Sequence, residues 1–518
     1  MAAQLNIGWG KRSIAPDFPV PVTGQFYLRV SMGVRTPVLA SALVLENGED
    51  LVVMVSCDMV GIRPRLLTQV QEILKTELPQ LPVSKLFISA THTHAGPGGA
   101  EVAEFPRNVE MASNEETFSF LARQIAEAVK EAWANRAPGS IAYGYGFAEV
   151  GLSRRTVYTD NIGKRENARP GFTVNGNAKM YGNTKDDMFN CYEAGTDPFV
   201  NLLYTFDSNE KLTGAVINLP CPSQTGMHAW ELHASFWHNV REKLSAVHGE
   251  IGIIAQCAGA GDLSPMQLHY LEAEKRRYAL KYPELRARFM ADPMKFPVDP
   301  DEPGYEEIVA KRNEHFCLET LRAEDMGSRI AAAFEEVLEW ASKEKFSAPE
   351  LKHEIRTIPL KRELFPEEIL EEEKNNYQAL MNDSMLTEGN KYVQLQHNST
   401  LQSRRRRCGG VVERCALQKE QPALPAEIHV VKVGNVAFAT NRFELFMDYM
   451  HRIQARSPFE QTFIVQLTGD PHQSGSYLAT KRAQANKGYS ASPYCNQVSP
   501  EGGQELVEET LKVLKEIR

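Results

Sequence analysis

The chain has no apolar run approaching the ~20 residues that a bilayer-spanning helix needs, so no transmembrane segment is expected. Its opening, Met1-Ala2-Ala3-Gln4-Leu5-Asn6, lacks a basic region followed by an apolar core, and no secretory signal is expected either. No CxxC pair occurs among the eight cysteines at 57, 191, 221, 257, 317, 408, 415 and 495. Scattered single cysteines point to free thiols in a reducing compartment rather than a disulfide framework, and a cytoplasmic protein is the expectation. Positive charge is not in excess. Lys and Arg number 57 against 66 Asp and Glu, for a net charge of −9, which argues against nucleic acid as the main partner. Internal repeats and low-complexity tracts are absent too.

What remains is ordinary globular composition, 42% hydrophobic and 24% charged, over 518 residues, enough for a large core. Strand-like runs at 42–45, 51–56, 85–90, 140–144, 202–206, 213–218 and 251–256 alternate with amphipathic helices at 65–78 and 116–135. This alternation predicts an α/β fold, a mixed-sheet layered catalytic domain. A Gly-, Asn- and Asp-rich stretch over 160–195 reads as a long irregular excursion, and such loops are usually functional or flexible. From 268 to 420 charged helical stretches dominate, which predicts a helical insertion within a single 1–518 unit. Strand patterns return at 427–433, 436–440 and 462–468, before a terminal helix over 503–518. The run Arg404-Arg405-Arg406-Arg407 is the one strongly basic spot, either a solvated helix face or a contact for an anion.

Five segments carry residue types suited to chemistry. Thr91-His92-Thr93-His94-Ala95-Gly96-Pro97-Gly98-Gly99 follows an apolar strand, and in extended backbone His92 and His94 point to the same side. Two imidazoles there suit a metal ion or a polar ligand, or they merely cap a loop. Residues 256–265, ending in Asp262, Leu263, Ser264 and Pro265, stand at the carboxyl end of a strand, where α/β sheets bind ligands, or form a tight structural turn. Glu444 follows the strand 436–440 and can bind metal or pair with Arg442. Tyr477 and Tyr489 lie twelve residues apart, and Arg154 and Arg155 offer two cationic forks for a carboxylate or oxyanion.

Together these segments resemble the catalytic domain of the neutral, non-lysosomal ceramidases, which hydrolyse the amide bond of N-acylsphingosine with a zinc ion. The resemblance runs from Ile7-Gly8-Trp9-Gly10 and Ile14-Ala15-Pro16 through the ATHTHxGPGG segment at 90–99, which is highly specific. It continues through Ala260-Gly261-Asp262-Leu263-Ser264-Pro265, Glu444, and the Tyr477/Tyr489 pair within a Gly-Tyr-x-x-Thr element. The family carries a C-terminal β-sandwich and a secretion signal, neither of which is expected from this sequence, so the resemblance implies a divergent member.

Carried over residue by residue, the resemblance implies Zn2+ held by His92, Glu444 and Tyr477. His94, Arg154 and Tyr489 would contact the scissile amide, Gly24 would offer backbone N–H to the substrate, and Ser264 would stand beside the reacting centre. The family's second histidine ligand is replaced here by Cys221. A thiolate can ligate zinc; otherwise His228 or His233 reaches in, or no metal binds. The function so implied is a zinc-dependent hydrolase cleaving an N-acyl small molecule with metal-activated water. The alternatives are a catalytically silent ligand-binding protein of the same fold and an esterase or amidase with Ser264 as nucleophile. Ceramide and a smaller, soluble N-acyl compound both remain open as substrate.

Overall fold

A computed structural model describes residues 4–99, 108–166, 168–169 and 175–518. Eight strands form its main sheet: β1 (Asn6–Ser13), β2 (Leu39–Glu46), β3 (Leu51–Cys57), β4 (Leu86–Ala90), β5 (Ala137–Phe147), β6 (Phe199–Asp207), β7 (Leu212–Leu219) and β8 (Gly252–Cys257). They run across the sheet in the order β8-β7-β6-β5-β1-β2-β3-β4. Neighbours are antiparallel except for β7–β8 and β3–β4, the two outermost pairs, which are parallel. A parallel pair needs a crossover. The helix α1 (Pro64–Glu77) supplies it between β3 and β4; α3 (Phe236–His248) does so between β7 and β8, while α2 (Asn114–Ala134) precedes β5.

A second sheet holds β9 (Leu351–Lys361), β10 (Ala423–Val433), β11 (Val436–Thr440) and β12 (Gln461–Val465) in that order. Further helices are α4 (Tyr305–Ala341), α5 (Glu367–Asn382), α6 (Lys391–Leu417), α7 (Met447–Arg456) and α8 (Pro500–Glu516). Among the described residues no helix is long and apolar enough to cross a membrane.

Strand alternation explains the layering. In β2, Ala42 and Val44 join the core beneath α1, α2, α3 and α4, whereas Leu43 and Leu45 join a core shared with the second sheet. Phe438 and Phe463 of that sheet meet them, stacked at 4.4 Å between ring centroids. Ala437 and Ala439 instead face α7 and α8. The result is four layers, helix–sheet–sheet–helix. Because both faces of the inner strands are covered, they read as continuous apolar runs in the sequence.

The α/β layered fold expected from the sequence is thus what the structure shows. The stretch 268–420, however, is not helical throughout. β9 lies within it and pairs with β10 along its whole length, from Leu351 opposite Val433 to Lys361 opposite Ala423. As an edge strand half open to solvent, β9 mixes charged and apolar residues and carries no strong periodic signal.

The main sheet curls until β8 meets β3, where the Ala255 N–H donates to Ser56 Oγ at 3.1 Å. This curl gathers the segments leaving β4, β7, β8, β11 and β12 at one end of the molecule. Ser223 N–H donates to the Thr91 carbonyl, Ala258 N–H to Leu219, and Gly469 N–H to Ile88.

Replacing the fully buried Phe438 by Ala should cost about 3–5 kcal/mol through lost burial and a cavity between the sheets. Urea unfolding measures this; a loss below about 1 kcal/mol would contradict the inter-sheet packing.

Candidate functional site

The chain turns sharply after β4. His92 takes φ +66°, a left-handed backbone that costs a non-glycine residue about 1–3 kcal/mol and recurs where function fixes geometry. Its Nδ1 lies 2.7 Å from the Val60 carbonyl, which can only accept, so Nδ1 carries a proton and Nε2 is turned into a cleft of about 830 Å³. His92 and His94 do share one space. They meet edge to face, with Nε2 atoms 3.4 Å apart, through a turn rather than by the strand alternation expected.

Glu444 and Tyr477 sit side by side because their short strands pair in parallel, 444 beside 477. Glu444 Oε2 stands 3.3 Å from His92 Nε2. Arg154, 1% exposed, holds the centre together. Its Nη2 lies 3.5 Å from Glu444 Oε2 and donates to Tyr477 OH (3.2 Å) and the Gly261 carbonyl (2.9 Å). Its Nη1 donates to Tyr181 OH and Gln224 Oε1, both at 3.1 Å. Tyr181 OH donates to the same Gln224 oxygen at 2.6 Å. Gln224 must therefore turn its amide N–H toward His94 Nε2, 2.9 Å away, which places the His94 proton on Nδ1.

Tyr489 packs edge-on against Tyr477 at 5.7 Å and also lines the cleft. Gly24, at φ +108°, lies so close to the His94 ring that a Cβ there would stand 2.6 Å from it. The structure thus brings together His92, His94, Arg154, Glu444, Tyr477, Tyr489 and Gly24 around one cleft.

Other expected residues fall elsewhere. Cys221 continues the inward face of β7 into the helix-side core, its thiol against the Val150 carbonyl at 3.3 Å and outside the lining of the cleft. His233 is tied at both nitrogens, accepting from Ser235 N–H and facing the Gly226 carbonyl. His228 lines the cleft but turns Nδ1 to Tyr27 OH at 3.3 Å. Ser264 is fully buried and its Oγ accepts from Met266 N–H, with no imidazole or carboxylate bonded to it among the described residues. Its expected place beside the reacting centre, and a nucleophilic role, are not supported. The 256–265 segment acts instead as a clamp, with the carbonyls of Gly261 and Asp262 receiving Arg154 side-chain and backbone N–H groups.

Three contributors escaped sequence reasoning. Gln224 lies three residues beyond Cys221, and Tyr181 falls in the irregular excursion at 160–195. Arg29, fully buried, ties the carbonyls of Thr23, His94, Met227 and Ala229, and no sequence signal marks it.

Among the described residues no three His, Cys, Asp or Glu side chains gather as a metal cluster. The donor set is one imidazole, one carboxylate and one phenol. An imidazole lone pair and a carboxylate oxygen at 3.3 Å repel unless a proton or cation lies between them. With Tyr477 alongside, these residues fit a divalent cation held by three protein ligands, the number typical of catalytic zinc.

Residues 26–167 match the family model for the N-terminal region of neutral/alkaline non-lysosomal ceramidases. The neutral ceramidase of Pseudomonas aeruginosa is 28% identical over 246 residues, 45% of this chain and 32% of that protein, so the match spans about a third of the relative's length. The crystal structure of neutral ceramidase from P. aeruginosa superimposes with TM-score 0.60 at 17% identity, covering 99% of this chain and 75% of that one. A ceramidase complexed with C2 gives 0.62 at the same identity and coverage.

Burial shapes the titration of these groups. It would push the Glu444 carboxyl up, but His92 and Arg154 beside it bring it below the usual carboxylate range. Burial raises both Tyr477 and Tyr489, and the neighbouring Glu444 adds to each. His94 is held well below the usual imidazole value by burial and then by His92, Arg29 and Arg154. Burial likewise lowers His233 to about 4. A native imidazole that refuses protons makes stability fall as pH drops from about 6.5, the unfolded value, toward 4, because the unfolded chain takes up the proton. His233→Gln should make that fall shallower by up to about 1.4 kcal/mol per pH unit. Urea midpoints between pH 7 and 4 check this; identical slopes for the two proteins would contradict it.

Proposed function

We propose that this chain, whose residues 26–167 match the family model of the neutral/alkaline non-lysosomal ceramidases, hydrolyses the amide bond of an N-acyl compound, using zinc held by His92, Glu444 and Tyr477. The observation that carries this reading is the His92 Nε2, turned into the cleft by the Nδ1 contact with the Val60 carbonyl and facing Glu444 Oε2 at 3.3 Å. Zinc at such a point supplies Lewis acidity and an activated water at neutral pH.

The residues around it divide the remaining work. Arg154 orients Glu444 and Tyr477 and presents positive charge where an oxyanion develops. His94 is neutral in the resting cleft, with its proton on Nδ1. Its Nε2 accepts from the Gln224 amide, and in this reading it exchanges that hydrogen bond for a proton that it returns to the leaving amine. Gln224 holds that tautomer. Gly24 keeps the His94 ring closely covered, and Tyr489 walls the cleft beside Tyr477. The whole of 1–518 acts as one catalytic unit in this reading.

A second reading, a silent ligand-binding protein, draws on Arg154: its guanidinium already contacts both Glu444 and Tyr477, the charge a metal would provide. Metal content and turnover separate the two. One zinc per chain with hydrolysis of short N-acyl amides is expected. Both should be lost in His92→Ala and Glu444→Ala, activity falling about 100-fold or more with the fold retained. Cys221→Ala and Ser264→Ala should keep both. A metal-free wild type that still binds ligand supports the silent reading, and loss of zinc in Cys221→Ala would return that thiol to the site.

A further inference from the structure

A second cavity, of about 410 Å³, lies beside the segments that carry the two tyrosines of the cleft. Tyr477 and Tyr489 line the cleft, whereas Ala479 and Ala491, two residues further along the same segments, line this second space. Its other side is the start of α5 and the loop before that helix. Two kinds of residue meet there. Leu364, Phe365, Ile369, Ala491 and Val498 supply an apolar bed. Glu363, Glu368, Glu372 and Glu373 supply carboxylates, and Lys487 is the one cation in the lining among the described residues.

These carboxylates are poorly compensated. None of the four makes an ion pair among the described residues, and Lys374 on the same helix pairs with Glu371 instead. Glu363 is half-buried and accepts from Gln484 at 2.7 Å; Glu368 and Glu372 are exposed. Burial, with Glu501 nearby, pushes the Glu363 carboxyl up to about 7 against the opposing Gln484 and Lys361. Burial and then Glu373 raise Glu372, opposed by Lys487. Glu373 is the sharpest case. It is 5% exposed, and its Oε1 accepts from the Tyr494 hydroxyl at 2.6 Å, while Oε2 is buried with no hydrogen-bond partner. The neighbouring Cys408 thiol, pushed up to about 12 by burial and by Glu373, brings no positive charge. Arg407 stacks on Tyr494 but is not part of the cavity wall. Like charges gathered around a partly desolvated space raise one another's free energy, and a cation placed among them relieves it.

We propose that this cavity binds an organic ammonium ion, an amine on an apolar body, with its charge among Glu363, Glu372 and Glu373 and its skeleton against Phe365 and Ile369. A bare metal ion suits the space less well, because no three of the carboxylates gather closely enough to hold one among the described residues. An apolar bed with a few charged groups at its edge is the usual form of a small-molecule site. An amide hydrolase releases an amine, so its own product belongs to this chemical class, but the binding does not rest on the hydrolase reading.

Calorimetric titration of the full chain at about pH 8, where Glu363 is mostly ionised and an alkylamine keeps its proton, compares hexylamine, hexanol and hexanoate. Hexylamine should bind about tenfold tighter than hexanol, with hexanoate weakest, and its advantage should shrink as salt rises. Glu363→Gln combined with Glu372→Gln should cut that advantage to about twofold or less while leaving the hexanol affinity within about twofold. Ile369→Trp, which fills the apolar bed without changing charge, should weaken hexylamine about fivefold or more. Equal affinity for amine and alcohol, no measurable binding by either, or a preference untouched by both variants would each overturn the inference. The last result would place the amine in the other cleft, beside Glu444.

Discussion

The guanidinium of Arg154 reaches acceptors from four otherwise separate parts of the chain: Tyr181, Gln224, Gly261, and the Glu444–Tyr477 pair. A cation this deeply buried needs hydrogen bonds and a nearby carboxylate to offset the large cost of leaving water, and here both terminal nitrogens supply them while Nε has no hydrogen-bond partner among the described residues. Each acceptor is therefore as constrained as the arginine. Removing the guanidinium would leave Glu444 buried beside His92 with half its compensation gone, a change of about 3–5 kcal/mol. The geometry of the cleft and the stability of this end of the fold are one problem.

That centre depends in turn on the curl of the main sheet. Because β8 folds back onto β3, the chain exits of β4, β7 and β8 approach those of β11 and β12 in the second sheet. Four layers thus deliver loops to one place while the cores between them stay apolar. The left-handed His92 and the close approach of Gly24 to His94 are local costs accepted at that meeting point.

Much of this was legible in the sequence. Strands buried on both faces, such as β2 and β3, announce themselves as apolar runs, and the 90–99 segment marks the place of the cleft, although its two histidines meet through a turn and not by strand alternation. The edge strand β9 was hidden because one face meets solvent. The misplaced residues share a cause: sequence position fixes neither the direction of a side chain nor its partner. Cys221 and Gln224 lie three apart in one loop, yet Cys221 turns into the helix-side core and Gln224 into the cleft. Ser264 looked reactive by its motif, but its hydroxyl is spent on the local turn. Arg29 binds only backbone carbonyls, an interaction that no pattern of residue types reveals. The basic run on α6 divides similarly, Arg405 capping α5 and Arg407 stacking on Phe26, Tyr489 and Tyr494.

The central claim is that His92, Glu444 and Tyr477 converge on a single divalent cation beside Arg154. Anomalous diffraction at the zinc edge, from crystals of the full chain grown with equimolar zinc, tests it most directly. The account predicts one peak in bonding contact with His92 Nε2, the Glu444 carboxylate and the Tyr477 oxygen. A peak on Cys221 or His228, or none in the cleft at full zinc loading, would contradict it.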